Sequence, residues 1–231
     1  VVQWFIKYPT VNKITIYGSG ILAVFFTFFL QLQTIIILII IGFISILYPI
    51  PFLKPFGINT RFRDFPFVKI FLIAFVWSAT SVILPFTESL LPYSSLKTVP
   101  VNIIIMMFFT QFIYILFITL PFDINDVETD KVSNIKTIPS RLGIKISKVI
   151  TLVLGIIYAF AILFLFMLVN WNHMPNKYLT DFTIISIWLL LLLLQLFTFF
   201  KSDKVPKWWI KVVYDGSMIA YFLIIFMTKR I

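Results

Sequence analysis

Residues 14–53 carry no charged side chain, and neither do 70–87, 98–122, 182–200 or 216–228. Residues 149–176 are interrupted only by His173. A helix that crosses a bilayer needs about 20 mostly apolar residues, so nearly every gap is span-sized and the first holds two spans. At bilayer depth only helices and closed barrels satisfy the backbone. These long Phe- and Ile-rich runs lack the alternation of barrel strands. The pattern therefore predicts seven helices, at 14–31, 33–51, 67–85, 100–121, 149–170, 180–200 and 209–228. Prolines punctuate them. Pro49, Pro51 and Pro55 follow the second, Pro66 precedes the third and Pro85 follows it, Pro100 precedes the fourth and Pro121 closes it, and Pro206 opens the seventh. Those are places where a missing N–H is tolerated. The expected fold is all-α: a polytopic integral membrane helical bundle forming a single transmembrane domain over residues 1–231.

Composition agrees with that pattern. The 231 residues are 61% hydrophobic and 12% charged, whereas soluble domains carry about 25% charged residues. The absence of cysteine removes disulfide frameworks, thiolate zinc sites and cysteine nucleophiles. A single histidine, His173, leaves no histidine-based triad. The formal charge of +10 is read as a topology signal rather than a nucleic-acid footprint. With Val1 in the cytoplasm, the inside segments 1–13, 52–69, 122–148 and 201–211 hold fifteen of the 19 Lys and Arg residues, as the positive-inside rule requires. The expected location is the inner (cytoplasmic) membrane, multi-pass, with the active-site loops cytoplasmic. Arg61, Arg63 and Lys69 read as topology determinants, and Gly18 and Gly20 as helix-packing positions.

One cytoplasmic loop carries candidate chemistry. Of nine carboxylates, four lie within Asp123-Ile-Asn-Asp126-Val-Glu128-Thr-Asp130, directly after the fourth span. On a continuous helix Asp123, Asp126 and Asp130 occupy i, i+3 and i+7 and share a face, with Glu128 pointing elsewhere. Three carboxylates on one face repel one another unless a cation sits among them. Mg²⁺ takes one or two carboxylates and then bridges to substrate phosphates. The competing reading is a solvated acidic turn at a helix end. An EF-hand is excluded, because the spacing needs glycine where Glu128 stands. Downstream, Lys136 and Arg141 are suited to phosphate oxygens, Arg141 as a bidentate fork.

The stretch Asp-x-x-Asp-x-x-x-Asp, followed by Ile-Lys-Thr-Ile-Pro-x-x-Leu-Gly at 135–143, resembles the second aspartate-rich motif of the UbiA superfamily of intramembrane aromatic prenyltransferases. The segment Leu47-Tyr48-Pro49-Ile50-Pro51-Phe52-Leu53-Lys54 also resembles that family's Tyr-x-x-Pro-Leu-Lys loop. The resemblance implies nine helices, with one Asp-rich motif after helix 2 and another after helix 6. Residues 1–231 would then be helices 3–9. The first motif is not found upstream of Lys13, and Val1 is not an initiator methionine, so an N-terminally truncated chain is expected.

The implied activity is Mg²⁺-dependent transfer of an isoprenoid from a polyprenyl diphosphate to an aromatic or other lipophilic acceptor within the bilayer. On that reading Asp123, Asp126 and Asp130 are catalytic residues and metal ligands, and Lys54, Lys136 and Arg141 bind diphosphate. Tyr48 and Asp215 border the cavity; Asp215 is the one carboxylate well inside a span, a functional candidate by position. Pairing of Asp215 with Lys211 is the bland alternative. Tyr114, Tyr158 and Tyr221 are read as packing residues. Other classes stay open: a non-catalytic relative or a membrane transporter. A transporter more often shows internal repeats and interrupted helices with midplane polar groups, whereas here polar residues gather at one membrane face.

Overall fold

The computed structural model describes residues 7–48, 50, 65, 67–89, 100–132, 136–170 and 178–200, and beyond them 208–209, 212–214, 216–217 and 219. Among these there is no strand. Helix α1 (Pro9–Thr27) starts on a proline, whose missing N–H costs nothing in a first turn. Helix α2 (Leu32–Leu47) follows after a short turn. Helix α3 (Val68–Ser78) runs through a π-helical turn at Ala79–Ile83 into α4 (Leu84–Ser89). Then come α5 (Val101–Asn125), two short helices α6 (Val127–Val132) and α7 (Ile138–Leu142), and the long α8 (Ile144–Asn170) and α9 (Tyr178–Phe200). The described residues between 208 and 219 are helical as well.

Among the described residues three helices are long and apolar enough to cross a membrane: Val68–Glu88, Val101–Asn125 and Ile144–Leu165. Leu32–Leu47 and Trp188–Phe197 are apolar but shorter. Most of the seventh expected span lies outside the described residues.

Two prolines expected to end helices do not. Pro85 lies within the continuous α3–α4 rod. A proline ring crowds the carbonyl four residues back, and the π-turn widens the helix just before it, with the Leu84 N–H reaching back to the Ala79 carbonyl. Thr80 Oγ1 donates to the Val76 carbonyl at 2.7 Å and Ser81 Oγ to the Trp77 carbonyl at 2.8 Å, supplying donors in the disturbed turn. Pro121 likewise sits buried inside α5, which continues one further turn to Asn125. Helices packed against neighbours in a bilayer carry such interruptions, because nearby groups satisfy the freed carbonyl.

α5 is the central element and packs against both α3 and α8. The core consists of Ile70 and Ala74 from α3, Ile115–Ile118 and Leu120 from α5, Tyr158 from α8, Leu192 and Phe199 from α9, and Tyr214. Gly155 lets α8 approach α5: a Cβ there would stand 3.1 Å from the Phe117 ring. At Gly18 and Gly20, expected to serve that role, a Cβ meets nothing within 4 Å among the described residues. Outward faces carry Phe25, Phe26, Ile39, Phe43, Phe109, Phe160 and Leu193, all exposed, as surfaces wetted by lipid must be. At one end of the bundle the turn before α2 is tied to α4. Gln31 Nε2 donates to the Glu88 carbonyl at 2.8 Å, and its N–H to the Glu88 carboxylate at 3.2 Å.

Candidate active site

The acidic cluster forms where α5 breaks and restarts. Asp126 leaves helical geometry (φ −96°, ψ 5°), yet its N–H still donates to the Phe122 carbonyl at 3.0 Å, and the Asp130 N–H to the Asp126 carbonyl at 2.8 Å. The chain turns slightly without uncoiling. Asp123 and Asp130 are buried, and Asp126 is exposed. The face expected for all three is thus graded in depth, with Asp123 and Asp130 buried and Asp126 solvent-facing, since residues seven apart on a helix lie closer in direction than residues three apart. Asp126 remains within electrostatic reach of Asp123. Glu128, with its side chain 84% exposed, pairs at the surface with Lys131 at 3.5 Å.

Lys69 in the first turn of α3 closes the pair. Its ammonium donates to Asp123 Oδ1 at 2.7 Å and stands 3.9 Å from Asp130 Oδ2. Lys69, read from sequence as a topology determinant, also makes these two contacts. It lies at the end of a span, where charges are common, but its stem is directed inward onto two carboxylates. Asp123 Oδ2 and Asp130 Oδ2 are both buried without a hydrogen-bond partner. Buried carboxylate oxygens in that condition are costly and call for a cation. A divalent metal of the Mg²⁺ kind fits such oxygens when substrate phosphates complete its shell. Among the described residues no three carboxylate or imidazole side chains converge to hold a metal unaided.

Two backbone features fix the approach of α3. Phe67, just before it, adopts the left-handed conformation at φ 67°, which a side chain with a Cβ pays for. Its N–H donates to the Lys136 carbonyl at 3.2 Å, joining the chain before α3 to the chain after the acidic cluster. The phrase at 136–143 is itself a folded elbow. The Thr137 N–H donates to Ser140 Oγ at 2.8 Å, capping α7, and Gly143 ends it at φ 85°, ψ 159° before α8 begins. Ser147 Oγ then donates to the Gly143 carbonyl at 2.9 Å.

An apolar groove of about 620 Å³ opens between α2, α3 and α5, lined by Ile44, Phe67, Val68, Phe71, Leu72, Phe75 and Phe112. Phe67 and Val68 of this lining immediately precede Lys69 in sequence. Phe71 and Phe75 follow on successive turns, and Phe71 stacks near Phe112 with ring centroids 6.2 Å apart.

Of the residues singled out from sequence, Asp123 and Asp130 meet. Tyr48, at the end of α2, lies in electrostatic range of the Lys69 ammonium. Lys136 contributes its carbonyl to Phe67 and its side chain is half-buried, while Arg141 is exposed. Lys54, Asp215 and Tyr221 lie outside the described residues. Sequence reasoning missed Lys69, Phe67 and a second polar cluster deeper in the bundle. There Gln195 Nε2 donates to Ser217 Oγ at 2.6 Å, Tyr114 Oη lies 3.1 Å from the same oxygen, and Tyr214 Oη donates to the Gln195 carbonyl at 3.1 Å. A glutamine amid a leucine run was the available signal.

No curated protein and no solved structure matches this chain. The model of the UbiA prenyltransferase family does, over residues 10–222, which takes in both halves of the carboxylate–lysine site and the whole groove. By that match the chain belongs to the UbiA prenyltransferase family, an integral membrane family of prenyl-transferring proteins.

Proposed function

We propose that this protein transfers an isoprenoid from a polyprenyl diphosphate to a lipophilic acceptor inside the membrane. The observation that carries the reading is a juxtaposition on one helix: Lys69, which clamps the buried carboxylate pair, directly follows Val68 of an aromatic-lined groove. A substrate that is doubly anionic at one end and hydrocarbon at the other matches both parts. In this reading the seven-span bundle lies across the membrane with the acidic cluster at its cytoplasmic face.

Asp123 and Asp130, with Asp126 alongside, hold Mg²⁺; Lys54, Lys136 and Arg141 draw in the diphosphate. The metal supplies charge neutralisation on the departing diphosphate. The allylic C–O bond breaks with its electron pair leaving on the diphosphate oxygen. The resulting allyl cation is met by an electron pair of the acceptor, which forms the new bond and gives up a proton. Phe67, Phe71 and Phe112 offer ring faces that favour a nearby cation. The apolar walls keep out the water that would otherwise quench it.

The test uses full-length protein in lipid nanodiscs with isotope-labelled polyprenyl diphosphate, Mg²⁺ and a lipid extract as acceptor source. The reading expects label in a new, phosphate-free lipid. No turnover, or label found only in the free prenyl alcohol, would overturn it.

A further inference from the structure

We propose that Lys69 is a tethered cation that holds the Asp123–Asp130 gap until a divalent metal displaces it, and that the freed ammonium then serves the diphosphate. This rests on the metal reading above and adds a residue and an order of events to it.

The argument starts from charge. Asp123 and Asp130 are almost fully buried, with side chains only 3% and 8% exposed. Two like charges at close quarters in a low-dielectric site do not both persist without a counter-charge. Among the described residues Lys69 is the cation that reaches both, at 2.7 and 3.9 Å from a single nitrogen. Among the described residues one ammonium faces two carboxylates, and Asp123 Oδ2 and Asp130 Oδ2 accept no hydrogen bond, the latter only standing at ion-pair distance from Lys69. The site is thus closed but incompletely neutralised. A divalent ion shared by both carboxylates needs the gap the ammonium fills, and two cations in one gap repel.

Lysine suits an exchange of this kind. Its charge is a compact point on a flexible stem of four carbons, unlike the rigid fork of arginine. Lys69 is also a quarter exposed, so its stem has a way out. Its backbone is anchored, because Phe67 two residues earlier is bonded to the Lys136 carbonyl and α3 packs on α5. A displaced ammonium therefore stays within a side chain's reach of the carboxylate pair and of the start of α3, whose Val68, Phe71 and Phe75 line the groove, so a diphosphate held at the pair comes within its range. Metal and diphosphate binding are coupled by this device. Metal alone must evict Lys69 into solvent, whereas diphosphate gives the evicted ammonium a partner.

The test is made on full-length protein in nanodiscs, with Mn²⁺ as the metal and a small amine-acylating reagent read out by mass spectrometry. Lys69 is expected to label slowly in chelator and severalfold faster when Mn²⁺ is added. In a second arm, Lys69→Met is expected to bind Mn²⁺ about fivefold or more tightly than wild type, the scale of an ordinary coupling between sites. Its thermal midpoint is expected to fall in chelator and recover with Mn²⁺. If wild type binds Mn²⁺ while Lys69 labelling stays unchanged, the exchange is wrong and the metal site stands. If neither protein binds Mn²⁺, with or without inorganic pyrophosphate, the metal reading itself is wrong. The wild-type labelling decides the matter even where Lys69→Met does not fold.

Discussion

The N–H of Phe67 donates to the carbonyl of Lys136 at 3.2 Å, a bond between residues 69 positions apart that joins the chain entering α3 to the chain leaving the acidic cluster. Phe67 makes it from the left-handed region at φ 67°. Strained backbone of this kind persists where surrounding structure over-determines it, and such positions gather at functional sites.

That strain makes a first prediction. Phe67→Gly and Phe67→Ala remove the same ring from the groove, but only glycine adopts φ 67° freely. Phe67→Ala is expected to be the less stable of the two by about 1–2 kcal/mol in thermal or denaturant unfolding. Equal stabilities would mean the left-handed turn is not held in the folded protein.

The helix contact at Gly155 makes a second. A Cβ there lies 3.1 Å from Phe117 Cε2 and 3.4 Å from Leu196 Cδ2, so Gly155→Leu is expected to cost about 1–3 kcal/mol by overpacking. Gly42→Ala, in a helix with open space around it, is expected to be neutral or stabilising by about 0.4–1 kcal/mol. Thermal shift in one detergent compares the two directly.

Ser217 makes a third. Its oxygen receives the Gln195 amide at 2.6 Å and lies 3.1 Å from the Tyr114 hydroxyl. Ser217→Ala strips both of that partner at once and is expected to cost about 1–3 kcal/mol, the penalty for buried polar groups left unmet. Tyr114→Phe removes only one member and is expected to cost less. A reversed order would show that the cluster is not organised around Ser217.

Much of this architecture was legible in the sequence, and the parts that were not share a cause. Charge-free runs marked the helices because lipid tolerates few charges, and the region of α5 and α8 was placed within a few residues at most ends. Pro85 and Pro121 were read as helix ends by rules that suit soluble helices. In the structure a π-turn accommodates the first, and packing around α5 the second. Helical spacing groups Asp126 with Asp123 and Asp130, but spacing alone does not give depth, and Asp126 is the exposed member of the three. Lys69 looked like any cation at a span end. Its role depends on the side-chain direction and on carboxylates 54 and 61 positions away, a long-range fact that no local pattern contains. The groove is equally non-local, being assembled from α2, α3 and α5.

The central claim is that the buried Asp123–Asp130 pair is the metal–diphosphate site. The most direct measurement is Mg²⁺-dependent diphosphate release from a polyprenyl diphosphate by full-length protein, comparing wild type with Asp123→Asn, Asp130→Asn and Glu128→Gln. Removing one charged contact made to the departing group costs roughly 10²–10³ in rate, so both Asp variants are expected to fall by that much. Glu128→Gln, on a side chain 84% exposed and paired only with Lys131, is expected to stay near wild type. Equal tolerance at all three positions, or full activity in excess chelator, would contradict the assignment.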